Sequence, residues 1–146
     1  MNKDKLLLRK ATVEDSESIV LLTYELGYQA TKSEIINRLS KIKYSAVEEV
    51  IVAEYNYKVV GWMHISLVEP LESNPFVEIR GLVVSEAYRR KGIGTKLIIS
   101  AEEWARDNGI KRLRVRTNIV REETRQYYRK LSFVSKKTQE VFEKEI

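Results

Sequence analysis

The sequence contains no cysteine, which excludes disulfides and thiolate metal sites and gives no support for an oxidising compartment. No metal is expected. Only two prolines occur, both in EPLESNP, and no stretch rich in Pro, Gly or Ser reads as a linker. Repeats and low-complexity segments are also missing, so one domain over residues 1–146 is the economical organisation. No run approaches the roughly eighteen apolar residues that a membrane span needs. The opening MNKDKLLLRKATVED has three consecutive leucines between charges rather than the apolar region of a secretory signal. A cytoplasmic protein with no membrane partner is expected.

What is present is an ordinary globular composition, 43% hydrophobic and 32% charged, with a formal charge of +5 and a pI near 9.3. Such a charge suits nucleic acid, a polyanionic small ligand, or solubility alone. The basic residues are interleaved with acids in AEEWARDNG and REETRQ, and no basic arm or reading helix stands out. Nucleic acid is therefore not the expected partner.

Local patterning predicts alternating elements. LLLRKA (6–11) reads as a strand, and Thr12 with Asp15 gives a helix start continued by Ile19, Leu22 and Leu26. Ile35, Ile36, Leu39 and Ile42 predict a second helix over 31–42, capped by Thr31 or Ser33. EVIVAE and KVVGWMHISLV, broken at Tyr55-Asn56-Tyr57, predict a β-hairpin, and FVEIRGLVVS (76–85) a third strand of that run. Gly94 to Asn108 reads as a helix with Leu97, Ile98, Ala101, Trp104 and Ala105 on one face, stopped by Gly109. RLRVRT is then a strand, EETRQYYRKL a helix and TQEVFE a final strand. The result is an α/β fold with a mixed sheet.

The most informative stretch is RRKGIG, residues 89–94, at the junction of a strand and a helix. The first amides of a helix have no intrahelical acceptor, and the helix dipole adds partial positive charge there. Gly92 and Gly94 let the backbone approach a bulky anion, while Arg89, Arg90 and Lys91 add charge. A diphosphate fits such a turn. The loop is neither GxxxxGK(S/T) nor GxGxxG, because Leu97 stands where the third glycine would be.

Arg89-Arg90-Lys91-Gly92-Ile93-Gly94 resembles the signature Q/R-x-x-G-x-G/A of the GNAT superfamily of acyl-CoA-dependent N-acyltransferases. GLVVSEAY before it looks like that family's preceding strand, QYYRKLSF resembles its F/L/Y-Y-E-K-x-G-F segment, and LLLRKATVED resembles its opening strand and helix start. The resemblance implies a mostly antiparallel central sheet flanked by helices, with a splayed parallel strand pair holding CoA. Acetyl-CoA is then the co-substrate, its pyrophosphate on the amides of Lys91, Gly92, Ile93, Gly94 and Thr95. Its pantetheine arm would pair with the main chain of Leu82, Val83 and Val84, on a strand that carries a bulge.

The same resemblance implies Tyr128 as the acid that protonates the leaving thiolate, and it leaves Ser132 where the family has glycine. Glu78, eleven residues before Arg89, is the first candidate base, although Arg80 shares its strand face and could pair with it. His64, the single histidine, is the second, on a face with Trp62 and Ser66. Asn118 is a candidate pantetheine contact, and Arg121 stands where the family often has asparagine and could meet a CoA phosphate or an acidic substrate group. The expected reaction is direct attack by the amine of a small molecule on acetyl-CoA in a ternary complex. An acyl-CoA sensor without turnover and a protein or peptide N-acetyltransferase are the alternatives, and family members are frequently dimers, which leaves a homodimer open.

Overall fold

A computed structural model describes residues 5–118 and 120–146. These group into two compact units, Met1–Val115 and Arg116–Ile146.

The first unit is a five-stranded sheet in sequential order with helices against it. Strand β1 (Leu6–Lys10) pairs antiparallel with β2 (Glu48–Tyr55), β2 with β3 (Lys58–Val68), and β3 with β4 (Phe76–Val84). Strand β5 (Leu113–Val115) joins β4 in parallel. β2 and β3 form the expected hairpin, closed by Asn56 and Tyr57, both at positive φ as a two-residue turn of matching twist requires.

Helix α1 (Ser16–Leu26) follows a single 3-10 turn at Val13–Asp15, where Thr12 and Asp15 form the capping box. Asp15 also holds Arg9 through two hydrogen bonds, Nη1 to Oδ2 at 2.9 Å and Nη2 to Oδ1 at 2.8 Å, tying the helix start to β1. Helix α2 (Lys32–Lys43) begins with a second capping box, Thr31 with Glu34. The apolar stripes of both helices, Ile19, Ile35 and Leu39, bury against Val50, Val52 and Trp62 on one sheet face. Met63, Ile65, Val77 and Ile79 point to the other face and are fully or almost fully buried. Helix α3 (Ile93–Asp107) packs on β2, β3 and β4 and buries Leu97, Ile98, Ala101 and Ala105. It runs one residue earlier at each end than the pattern predicts.

The second unit carries helix α4 (Glu122–Lys130), as expected. Two strand expectations need correction. The strand predicted for RLRVRT is confined to Leu113–Val115, and TQEVFE forms no strand, residues 131–146 having neither helix nor strand. β-branched and aromatic residues there mimic a strand pattern, but Val134, Val141 and Phe142 are all exposed, so no buried face holds the segment in register.

Candidate active site

Two features of the first unit converge on β4. Its pairing with β3 runs Ile65 to Ile79 and then His64 to Gly81, so Arg80 is an extra residue, a β-bulge in mid-strand. Its parallel pairing with β5 covers only Val77, Glu78 and Ile79. Beyond the bulge, Leu82, Val83 and Val84 are paired to β3 on one side and leave the β5 side of their main chain outside the ladder. An extended ligand can add there as a strand would.

The loop after β4 completes this path. A 3-10 turn at Glu86–Tyr88 leads into Arg89, whose Nε donates to the carbonyl of Val84 at 3.1 Å and so ties the loop to the strand end. Arg90 and Gly92 both lie at positive φ, 64° and 77°. Gly92 caps α3, whose first hydrogen bond of the new turn runs from the Lys96 amide to the Gly92 carbonyl at 3.1 Å. The amides of the first turn have no i−4 acceptor. Arg89, Arg90, Lys91 and Gly92 are exposed, Ile93 is buried, and Gly94 and Thr95 are half-buried. The predicted anion loop is therefore an exposed, glycine-cornered turn at the start of a long helix, held by a buried isoleucine. Beside it opens a cleft of about 220 Å³ lined by Leu6, Tyr55, Lys91, Ile93 and Lys96, which adds cations but none of the acid-base candidates.

The acid-base candidates of this unit sit on the α1/α2 face of the sheet. Register places Glu48, Ser66 and Glu78 in one row across β2, β3 and β4, with His64 next along β3. His64 Nε2 lies 2.9 Å from Glu48 Oε1, and Glu78 Oε2 lies 3.9 Å from Arg80 Nη1. The pairing of Glu78 with Arg80 weighed from the sequence is thus present, with the Glu78 side chain only 12% exposed. Burial holds the His64 imidazole below its ordinary value; the Glu48 carboxylate opposes that shift and Arg80 adds to it. Ser66 is 4% exposed, and its Oγ has no hydrogen-bond partner among the described residues. Sequence reading missed Glu48. Its alternation with Val50 and Val52 marks it as sharing their face, but only the hairpin register reveals that His64 is its neighbour.

Tyr128, Asn118 and Arg121 belong to the second unit. The Tyr128 ring makes edge contacts with Tyr127 and Phe133, both at 5.4 Å between centroids, and its carbonyl accepts from the amides of Leu131 and Phe133. Burial, with a smaller contribution from Tyr127, pushes the phenol up to about 12. It stays protonated and can donate. Ser132 lies at φ 72°, the left-handed region its glycine-like position suggests. Asn118 closes a turn, Oδ1 accepting from the Val120 amide at 3.2 Å, and Arg121 precedes α4 as its N-cap.

The sequence model of the Acetyltransferase (GNAT) family matches residues 18–133. The chain belongs to this family. It is an acetyl-CoA-dependent N-acetyltransferase. This GNAT chain is 33% identical over 129 residues to the aminoalkylphosphonate N-acetyltransferase of Salmonella typhimurium strain LT2, covering 83% of the chain and 80% of that protein. Its fold matches that of the aminoglycoside N-acetyltransferase AAC(6')-Iy in complex with CoA, with a TM-score of 0.86 at 16% identity over 99% of this chain and 98% of that one. Glucosamine-6-phosphate N-acetyltransferase from Arabidopsis thaliana is similarly close, with a TM-score of 0.84 at 18% identity, covering 95% and 98%. Among the described residues no helix is long and apolar enough to cross a membrane.

Proposed function

We propose that this GNAT chain transfers the acetyl group of acetyl-CoA to the amine of a small molecule, by direct attack in a ternary complex. The observation that carries the reading is the union of a bulged, half-released β4 with the glycine-cornered turn that follows it. The strand offers main-chain groups at Leu82, Val83 and Val84 to a pantetheine arm. The turn offers amides from Lys91 to Thr95, with Arg89, Arg90 and Lys91 around them, to a pyrophosphate. Asn118 and Arg121 are assigned to the same co-substrate, the first to the arm and the second to a phosphate. The acetyltransferase of Salmonella typhimurium is named for aminoalkylphosphonates, which supports a small amine as acceptor.

Chemistry at the thioester needs a proton taken from the substrate ammonium and one given to the departing thiolate. Tyr128 is the donor, as a phenol that remains protonated across the working range. Glu78 and His64 are the two candidate acceptors, on adjacent strands of one sheet face. As the amine nitrogen attacks, the C–N bond forms and the C–S bond breaks, and the sulfur leaves as the protonated thiol.

The test is a thermal-shift titration with acetyl-CoA, followed by thiol release against a panel holding an aminoalkylphosphonate, an aminoglycoside, an amino-sugar phosphate and a polyamine. A ligand that binds the folded state must raise the melting temperature with concentration. A shift together with thiol release for one amine class supports the transfer and names its acceptor. A shift without release would leave an acyl-CoA sensor, and no shift at millimolar acetyl-CoA would remove the co-substrate assignment.

A further inference from the structure

His64 and Glu48 form a diagonal cross-strand pair between β3 and β2. Both side chains are partly accessible, at 24% and 35%, and they lie on the sheet face that also carries Ser66, Glu78 and Arg80. Val50 lies directly opposite His64. A carboxylate oxygen only accepts hydrogen bonds, so the 2.9 Å contact fixes the proton of a neutral His64 on Nε2. The lone pair is then on Nδ1. Two residues along the same strand face, the Ser66 hydroxyl is buried without a hydrogen-bond partner among the described residues.

We propose that His64, rather than Glu78, takes the first proton of the substrate ammonium, and that Glu48 is its positioning residue, fixing the tautomer and stabilising the imidazolium that forms. This rests on the acetyltransferase reading and deepens it. In the step, an N–H bond of the ammonium breaks and its proton moves to Nδ1. The freed electron pair on nitrogen is the nucleophile, and the new imidazolium lies against a carboxylate. The proton then passes to water, regenerating neutral His64.

The charges around the imidazole favour this cycle. Glu48 from β2 and Arg80 from β4 act on it in opposite senses, and Glu78, the other acid of the row, is paired to Arg80. An ammonium approaching Glu78 must compete with that guanidinium, whereas His64 is neutral before the transfer and gains an ion-pair partner after it. Burial and Arg80 keep it neutral near pH 7, which is the state a base requires.

The single histidine makes the test direct, because every imidazole signal in the spectrum of the full chain belongs to His64. Nitrogen-correlated NMR across pH should find wild-type His64 as the Nε2–H tautomer. Glu48→Gln should lower its titration midpoint and populate the other tautomer, with Glu48→Asp partly restoring both. In turnover with the amine selected from the panel, His64→Gln should reduce kcat by about 100-fold or more, as expected for a lost general base. Glu48→Gln should reduce it less, move the acid limb of the pH profile down, and leave the acetyl-CoA thermal shift intact. A dominant Nδ1–H tautomer in the wild type, or a midpoint unmoved by Glu48→Gln, overturns the positioning role. Full turnover by His64→Gln overturns the base. Failure of the wild type to bind acetyl-CoA would instead remove the transferase reading, and the spectrum would still decide the pair.

Discussion

Trp62 lays its indole over Gly81 on the neighbouring strand, so closely that a Cβ at residue 81 would sit 2.7 Å from Cη2 and 2.8 Å from Cζ3. Gly81 follows the bulge residue Arg80 and pairs with His64, so this contact lies next to the row formed by Ser66 and Glu78. Gly81→Ala should therefore destabilise the protein by about 1–3 kcal/mol through overpacking, read as a lower denaturant midpoint at unchanged slope. Trp62→Leu combined with Gly81→Ala should cost less than the two changes summed, because the clash is with the ring. Strict additivity would show that the ring moves aside freely.

A second glycine is needed for a different reason. Gly92 has φ 77°, and a Cβ added to it would meet no atom within 4 Å, so the protein itself leaves room there. Gly92→Val incurs a left-handed strain of about 1–2 kcal/mol and places branched carbons on the exposed side of the anion turn. The expected outcome is a folded variant whose acetyl-CoA affinity falls at least about tenfold, each decade being about 1.4 kcal/mol. Calorimetry or a thermal-shift titration checks it. Unchanged affinity in the folded variant would mean that the turn does not hold the pyrophosphate.

Ser132 supplies the converse case. It occupies φ 72° without glycine's freedom, directly after the chain leaves α4. Ser132→Gly should stabilise the second unit by up to about 1 kcal/mol, the relieved strain being partly offset by the greater freedom of glycine in the unfolded chain. Thermal unfolding measures it, and kcat should be unaffected.

How much of this was legible in the sequence depended on how local the cause is. RRKGIG carried its own explanation, since glycines, cations and a following helix are all contiguous, and the positive φ of Gly92 and of Ser132 sits where glycine was read as the natural residue. The bulge at Arg80 entered only through the family resemblance, although Gly81 in FVEIRGLVV is a mid-strand glycine of the kind that marks one. Glu48 and the contact of Trp62 with Gly81 were invisible for another reason. Each depends on cross-strand register, and alternation assigns a face without naming the neighbour. The false strand at TQEVFE shows the limit from the other side, where suitable residues have no buried face to hold them.

Tyr128 gives a prediction about both rate and pH. Its phenol is raised to about 12, chiefly by burial, so it remains a proton donor throughout the neutral and mildly alkaline range. Tyr128→Phe keeps the ring contacts and removes only the hydroxyl. It should lower kcat by about 10²-fold or more with little change in acetyl-CoA affinity, and no alkaline limb of the wild-type profile below about pH 10 should come from this group. A Phe variant with wild-type kcat would move the proton donation to water.

His64 also makes stability depend on pH in a direction that can be derived. Burial, aided by Arg80, disfavours its imidazolium more than Glu48 favours it, so the folded state binds the proton more weakly than the unfolded chain does, whose imidazole titrates near 6.5. Wherever the unfolded state binds more protons, stability rises with pH. The contribution is therefore complete above about 6.5 and declines as pH falls from there toward the folded-state value, below which it changes no further. Denaturant unfolding at about pH 7.5 and about pH 5.5, on either side of the unfolded imidazole's midpoint, should show the loss in the wild type and a smaller one in His64→Gln. Glu48→Gln should steepen it, since the charge that stabilises the imidazolium is gone. The carboxylate proposed to position His64 thus limits what the fold loses when solvent protonates the imidazole.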